Sequence, residues 1–157
     1  MLILEGKNDF TTSLKKALSE IEPNYLELPG LVIAGSHSPE DVEFKIWNIK
    51  EARETKLPFY GECFGHQLAA IEYARNVLGI KDATSEEFGQ GTFVVKKLPE
   101  LNVGIKKVGD RYESFWNNYE VDLPEWKKPA HFFTAQYHAS YQSSKDKPHP
   151  LLVEFII

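Results

Sequence analysis

The segment Gly61-Glu62-Cys63-Phe64-Gly65-His66-Gln67 constrains this chain more than any other. Leu57-Pro58-Phe59-Tyr60 runs into it as a strand, and Gln67-Leu68-Ala69-Ala70-Ile71-Glu72-Tyr73-Ala74-Arg75 leaves it with helical spacing. A polarisable side chain between two glycines at a strand-to-helix turn forms an elbow that presents that side chain outward. Glycines beside the turn let neighbouring backbone approach closely. The amide groups and positive end of the following helix point at the thiol and favour its ionised form. Cys63 is the only cysteine among 157 residues, so the chain cannot close an internal disulfide.

The rest of the chain reads as alternating strands and helices. Leu2-Ile3-Leu4 is a short buried strand. Thr11 or Thr12 caps a helix whose Leu14, Ala17, Leu18 and Ile21 share one face, and Pro23 ends it. Tyr25 to Leu28 and Leu31 to Ala34 read as strands around Pro29-Gly30. Ser38-Pro39-Glu40-Asp41 reads as a helix start, with Val42, Ile46 and Ile49 on the buried side. Gly79 stops the helix that follows the elbow. This alternation predicts an α/β fold: three layers, with a mostly parallel central sheet and helices on both faces. After Gly91 the pattern changes. Thr92 to Leu98, Val103 to Val108, Tyr112 to Val121 and His131 to His138 read as strands, giving an additional antiparallel region in the second half. Leu151 to Ile157 suits a strand by propensity and a helix by the preceding Pro150. The length suits a single domain over residues 1–157.

Composition removes several classes of function. The net charge of −5 comes with no basic block or basic aromatic stripe, which argues against a nucleic-acid partner. No apolar run approaches the roughly 20 residues needed to span a bilayer. Met1 to Lys7 lacks the layout of a signal peptide, and the single cysteine fits a reducing cytoplasm. His37, His131 and His149 show no ligand spacing with Cys63, so neither a metal nor another cofactor is expected. Trp47, Trp116 and Trp126 read as packing or edge aromatics.

Ligands of parallel α/β sheets gather at the carboxyl ends of the strands. Three loops there carry chemistry: Gly35-Ser36-His37, Gly61 to Gly65, and Tyr137-His138-Ala139-Ser140. A cysteine nucleophile needs a base close in space, and His138 is the candidate.

With Cys63 and His138 placed, the chain resembles the class I glutamine amidotransferases, whose fold is flavodoxin-like. Within them it looks most like the amidotransferase domain of CTP synthase. Pro58 to Gln67 is similar to the nucleophile segment. Asn76-Val77-Leu78-Gly79, Asp82-Ala83-Thr84-Ser85-Glu86-Glu87-Phe88, Glu113 to Val121 and Gly6-Lys7 carry the narrower likeness. The loops are shorter than in a typical member, and a stand-alone domain without the synthetase domain is expected.

The resemblance implies that Cys63 is the nucleophile that forms a γ-glutamyl thioester, with His138 as its base. It implies an oxyanion hole from the amide of Phe64 and from Gly35-Ser36. Gln67, Glu87, Gly65 and His66 are implied around a bound glutamine or similar small amide. A separate synthetase subunit or a homo-oligomer is the implied partner.

Four positions depart from the family pattern. The His-Pro-Glu motif becomes His138-Ala139-Ser140, which removes the carboxylate that orients the histidine. Asn118 stands where an arginine precedes Tyr119-Glu120-Val121. Gly35-Ser36 replaces paired glycines, and Glu62 replaces an apolar residue beside the nucleophile, where a carboxylate raises a thiol pKa. Three functions are therefore expected to compete. They are a glutaminase with weakened machinery, a catalytically impaired relative that binds or regulates, and a hydrolase of another small γ-glutamyl or amide substrate.

Overall fold

The computed structural model describes residues 1–6 and 9–157. Lys7, part of the Gly6-Lys7 likeness, lies outside the described residues. A parallel sheet is built in the order β1 (Leu2–Leu4), β2 (Leu31–Ile33), β3 (Phe59–Glu62) and β7 (Phe132–Ala135). Alternate residues of each strand face opposite sides, which divides the core in two. Leu31, Ile33 and Phe59 pack with α2 (Val42–Thr55) and α3 (Phe64–Asn76). Val32 and Tyr60 pack with α1 (Phe10–Ile21) and α4 (Pro150–Ile156). The expected three-layer α/β arrangement is therefore present.

The second half forms its own small sheet in the order β4 (Ala83–Ser85), β5 (Thr92–Val108) and β6 (Arg111–Val121). β5 and β6 make a long antiparallel hairpin, while β4 and β5 are parallel. Its turn places Gly109 (φ 59) first in a two-residue loop, where a side chain would be strained. Ala83, Val94 and Val95 close the core over α3, so α3 lies between the two sheets.

Several local expectations are corrected. Tyr25–Glu27 is a 3-10 turn rather than a strand, since the amides of Glu27 and Leu28 turn back to Asn24 and Tyr25. α1 begins at Phe10, and neither Thr11 nor Thr12 caps it. α2 begins at Val42 after Asp41, whose φ of 51 is left-handed. Ser38 does not cap it. The Ser36 hydroxyl donates to the Ser38 carbonyl at 2.8 Å and accepts from its amide at 3.1 Å, folding that segment into a bend at the end of β2. The final segment is helical because His149 caps it: its Nδ1 accepts the Leu151 amide at 3.1 Å with Pro150 in the first turn. Among the described residues no helix is long and apolar enough to cross a membrane.

Candidate active site

The elbow forms at the junction of β3 and α3, and its geometry explains both glycines. A Cβ on Gly61 would lie 2.8 Å from the backbone carbon of Gly65, and one on Gly65 would lie 2.2 Å from the Ile33 carbonyl oxygen. Close approach, not positive φ, dictates these two residues. The strain falls on Cys63 instead, at φ 49 and ψ −100. Strain of this kind is held at functional turns by the surrounding fold. The Cys63 amide is tied to Ala135 of β7 at 2.9 Å, and its carbonyl accepts the Gln67 amide at 3.0 Å.

Cys63 opens into a cavity of about 370 Å³ lined also by Ser36, His37, Gln67, Glu87 and residues 116–119 of β6. The thiol lies 3.8 Å from the Trp116 carbonyl and accepts from Gln136 Nε2 at 3.4 Å. Gln136 Oε1 in turn accepts from Gln67 Nε2 at 3.2 Å, and Gln67 also donates to the Tyr119 carbonyl at 3.0 Å. A chain of amides thus fixes the cavity wall beside the sulfur. Glu87 is half-buried at the rim, and burial pushes its carboxyl up to about 7.

His138 is fully buried and lies behind Gly35. Its ring stacks near-parallel on Phe10 and Tyr141, with centroids 4.7 and 5.2 Å away and interplanar angles of 19° in both cases. A Cβ on Gly35 would lie 2.6 Å from His138 Cε1 and 3.5 Å from Cys63 Cβ, so these three residues share one corner. Burial lowers the His138 pKa to about 4, against a smaller raising contribution from the Trp116 backbone. Among the described residues neither ring nitrogen has a hydrogen bond within ordinary limits, the Trp116 backbone approaching the ring only at longer range. The imidazole is therefore neutral near pH 7 and free to take a proton.

The thiol does not follow the helix-end expectation. Burial first, and Glu62 second, push Cys63 up to about 12, while the Phe64 amide pulls weakly the other way. Desolvation of a largely buried sulfur outweighs the half-charge of a helix end. The resting pair is thus a neutral thiol and a neutral imidazole.

Two of the residues implied around the substrate face elsewhere. Gly65 packs on Ile33. His66 turns to Thr134, with Nδ1 3.0 Å from Oγ1, and rests on Trp126 at 5.0 Å between ring centroids. Neither is on the cavity wall. Gln67, Glu87 and Ser36 are on it, as is Asn118.

Trp116 and Gln136 carry no site role in the sequence reading, while His37, in one of the three loops singled out there, does line the cavity. Trp116 is no simple packing residue: it lines the cavity and lies 5.0 Å from the His37 ring. Gln136 lies in the bend between the end of β7 at Ala135 and His138, where strand alternation gives no signal for it. Trp47 is 55% exposed on α2, so it does not serve the packing expected of it.

Among the described residues no group of three or more His, Cys, Asp or Glu side chains is arranged to hold a metal.

Comparison with known proteins agrees with this architecture. A solved Trypanosoma brucei CTP synthase glutaminase domain with bound acivicin superimposes with a TM-score of 0.79 over 98% of this chain and 90% of that one, at 19% identity. CTP synthase of Methanoculleus marisnigri is 53% identical over 89 residues, which cover 54% of this chain. CTP synthase of Methanoregula boonei is 32% identical over 174 residues, covering 81% of it. These matches take up only 17% and 33% of the two relatives' own length. The family model for glutamine amidotransferase class-I matches residues 9–157. The chain belongs to the class I glutamine amidotransferases, as a CTP-synthase-like amidotransferase domain.

Proposed function

We propose that this domain hydrolyses the side-chain amide of glutamine and releases ammonia, with Cys63 as nucleophile and His138 as base. The observation that carries this reading is the shared corner of Cys63, His138 and Gly35, from which Cys63 alone reaches the cavity wall beside Gln67 and Glu87. In the first step the thiol proton moves to the neutral imidazole as the sulfur attacks the amide carbon. The oxyanion is met by the Phe64 amide and by the backbone of Gly35-Ser36. The tetrahedral adduct then collapses: its C–N bond breaks, ammonia leaves with the imidazolium proton, and a thioester remains. Water, deprotonated by His138, cleaves the thioester to glutamate and restores the thiol. Glu87 receives the substrate's ammonium group, and a synthetase on a separate subunit would consume the ammonia.

Incubating the purified protein with glutamine should yield equal glutamate and ammonia, and C63A should yield neither. Equal background in both proteins, with or without a candidate synthetase, would sink the reading.

A second reading rests on the cavity wall. Among the described residues it carries Glu87 but no lysine or arginine, and Asn118 stands at the position of the family arginine. None of the described wall residues offers a charge-assisted bond to a substrate α-carboxylate. This favours an amide that bears an ammonium group without a carboxylate, such as γ-aminobutyramide. Comparing kcat/KM for glutamine and γ-aminobutyramide decides between the two. A third possibility, a non-catalytic binding subunit, is the outcome if neither substrate turns over.

A further inference from the structure

We propose that Glu62, at the end of β3, is the carboxylate that orients His138, having taken over from across the site the role that a residue after the histidine would otherwise fill. The inference rests on the glutaminase reading for its catalytic meaning, though not for its geometry.

Position 140, where an acid would follow the histidine in the family pattern, holds a serine. Both hydrogen-bonding groups of Ser140 are spent on Glu62: its amide donates to Oε1 at 2.7 Å and its hydroxyl donates to Oε2 at 3.0 Å. The Tyr60 hydroxyl donates to Oε1 at 2.6 Å. Three donors therefore hold a fully buried carboxylate in one orientation. Its Oε2 faces His138 Nδ1 at 3.9 Å. That nitrogen is buried and has no hydrogen-bond partner among the described residues. A buried ring nitrogen without a hydrogen bond among the described residues calls for a partner, and the carboxylate held by three donors beside it is the nearest charge recorded against it.

The distance is that of an ion pair rather than a hydrogen bond. It needs to close by about 1 Å to reach the usual N–H···O length. Contacts of catalytic groups are often long without substrate and tighten when it binds. The stacking of His138 on Phe10 and Tyr141 leaves in-plane movement as the easy one. Asp146 and Glu154, the other acids near this end of the sequence, are exposed on the surface.

In this arrangement Nδ1 carries the ring proton towards Glu62 and Nε2 is left to accept the thiol proton. Glu62 is a positioning residue: it acts through His138 and touches no reacting atom. Its negative charge stabilises the imidazolium formed when the thiol is deprotonated, the service that a serine hydroxyl at position 140 cannot give.

The test uses the whole chain and two independent readouts. Nitrogen NMR of the unmodified protein at pH 8 should show His138 as the Nδ1–H tautomer. In E62Q the tautomer should become mixed or invert, because an amide can donate to Nδ1. An Nε2–H tautomer in the unmodified protein, or no change in a folded E62Q, overturns the proposal whether or not glutamine is hydrolysed. If glutamine is hydrolysed, E62Q should lower kcat by about 10³–10⁴-fold, the size seen when an orienting carboxylate becomes an amide in a serine triad. KM should stay within about threefold, because ground-state binding is untouched. An unchanged kcat likewise overturns it. Should E62Q fail to fold, the tautomer of the unmodified protein decides alone. Absent turnover combined with an Nδ1–H tautomer that changes in E62Q would refute the glutaminase reading and leave the Glu62–His138 pairing standing.

Discussion

Gly35 and His138 are packed so closely that a single methyl group cannot fit between them: a Cβ on residue 35 would lie 2.6 Å from His138 Cε1. Phe10 and Tyr141 pack against the ring, so a clash at Cε1 is relieved by sliding the ring in its own plane. G35A should therefore displace the imidazole from Cys63. A misplacement of about 1 Å costs roughly 10²-fold in rate. The expected outcome is a loss of at least that size in glutaminase kcat with the fold retained by circular dichroism. Full activity in G35A would show that His138 is not the base.

Cys63 should behave as a protected thiol rather than a resting thiolate. Its pKa is pushed up to about 12 by burial and by Glu62. Alkylation by iodoacetamide should accelerate steadily with pH past 8.5, the ordinary thiol value, with no plateau at lower pH. A rate that is flat from pH 6 upward would point to a preformed ion pair with His138 and contradict the neutral resting state.

Glu87 should link substrate affinity to pH. Its carboxyl is raised to about 7 by burial, so the free site is largely protonated below that value. A ligand ammonium group binds the charged form. Glutamine should therefore bind C63A more tightly as pH rises through about 7. Adding Glu87→Gln should remove this dependence and weaken binding by about 10- to 100-fold, the worth of a hydrogen bond to a charged group. Calorimetric titration of the two proteins from pH 5.5 to 8.5 measures both effects.

Glu62 should also leave a mark on folding stability. Burial raises its pKa from 4.5 to about 7, against the lowering effect of its bonds from Tyr60 and Ser140. Between those values the folded protein keeps a proton that the unfolded chain has released, so this group's contribution to stability falls as pH rises. E62Q has no such proton. Its stability relative to the unmodified protein should improve by about 3 kcal/mol between pH 4.5 and 7.5 in urea denaturation. A difference independent of pH would mean that Glu62 is already ionised in the fold.

Away from the site, Arg53 on α2 and Glu72 on α3 join the two helices. Arg53 Nε lies 3.0 and 3.1 Å from the two Glu72 oxygens, and Nη2 lies 2.9 Å from Oε1. Glu72 is fully buried while Arg53 keeps partial exposure. Arg53→Ala would strand the carboxylate and should cost about 3 kcal/mol, the lower end for breaking a buried pair. Asn76 also donates to Glu72 at 3.2 Å and moderates the loss. Thermal unfolding reports it, and a shift under one degree would show the pair to be solvated.

The elements that sequence periodicity described well are those whose neighbours are local. The helical face of Leu14, Ala17 and Leu18 is buried as its spacing implies. The failures lie where a distant contact decides. Tyr25 to Leu28 has strand-forming residues, yet it turns back on itself at the outer edge of β1, where the Met1 amine donates to the Leu26 carbonyl at 2.7 Å. Ser38 has the chemistry of a cap, but Ser36 takes its backbone first. The short polar β4 has almost no apolar signature and exists because β5 pairs with it.

The elbow, its two glycines and the lone cysteine were determined by sequence, because steric limits at a tight turn leave few residue choices. His138 could be named as the candidate partner of Cys63 only through the family resemblance, and the fold sets the two around Gly35. Tertiary structure alone decided the electrical state of the site. Glu62 and Ser140 are 78 positions apart, and only the parallel pairing of β3 with β7 brings them within hydrogen-bonding distance. Read along the chain, Glu62 was a burden on the thiol and Ser140 a missing acid. In the fold they are one hydrogen-bonded unit facing His138, because burial and register, which no local pattern encodes, set which charges meet.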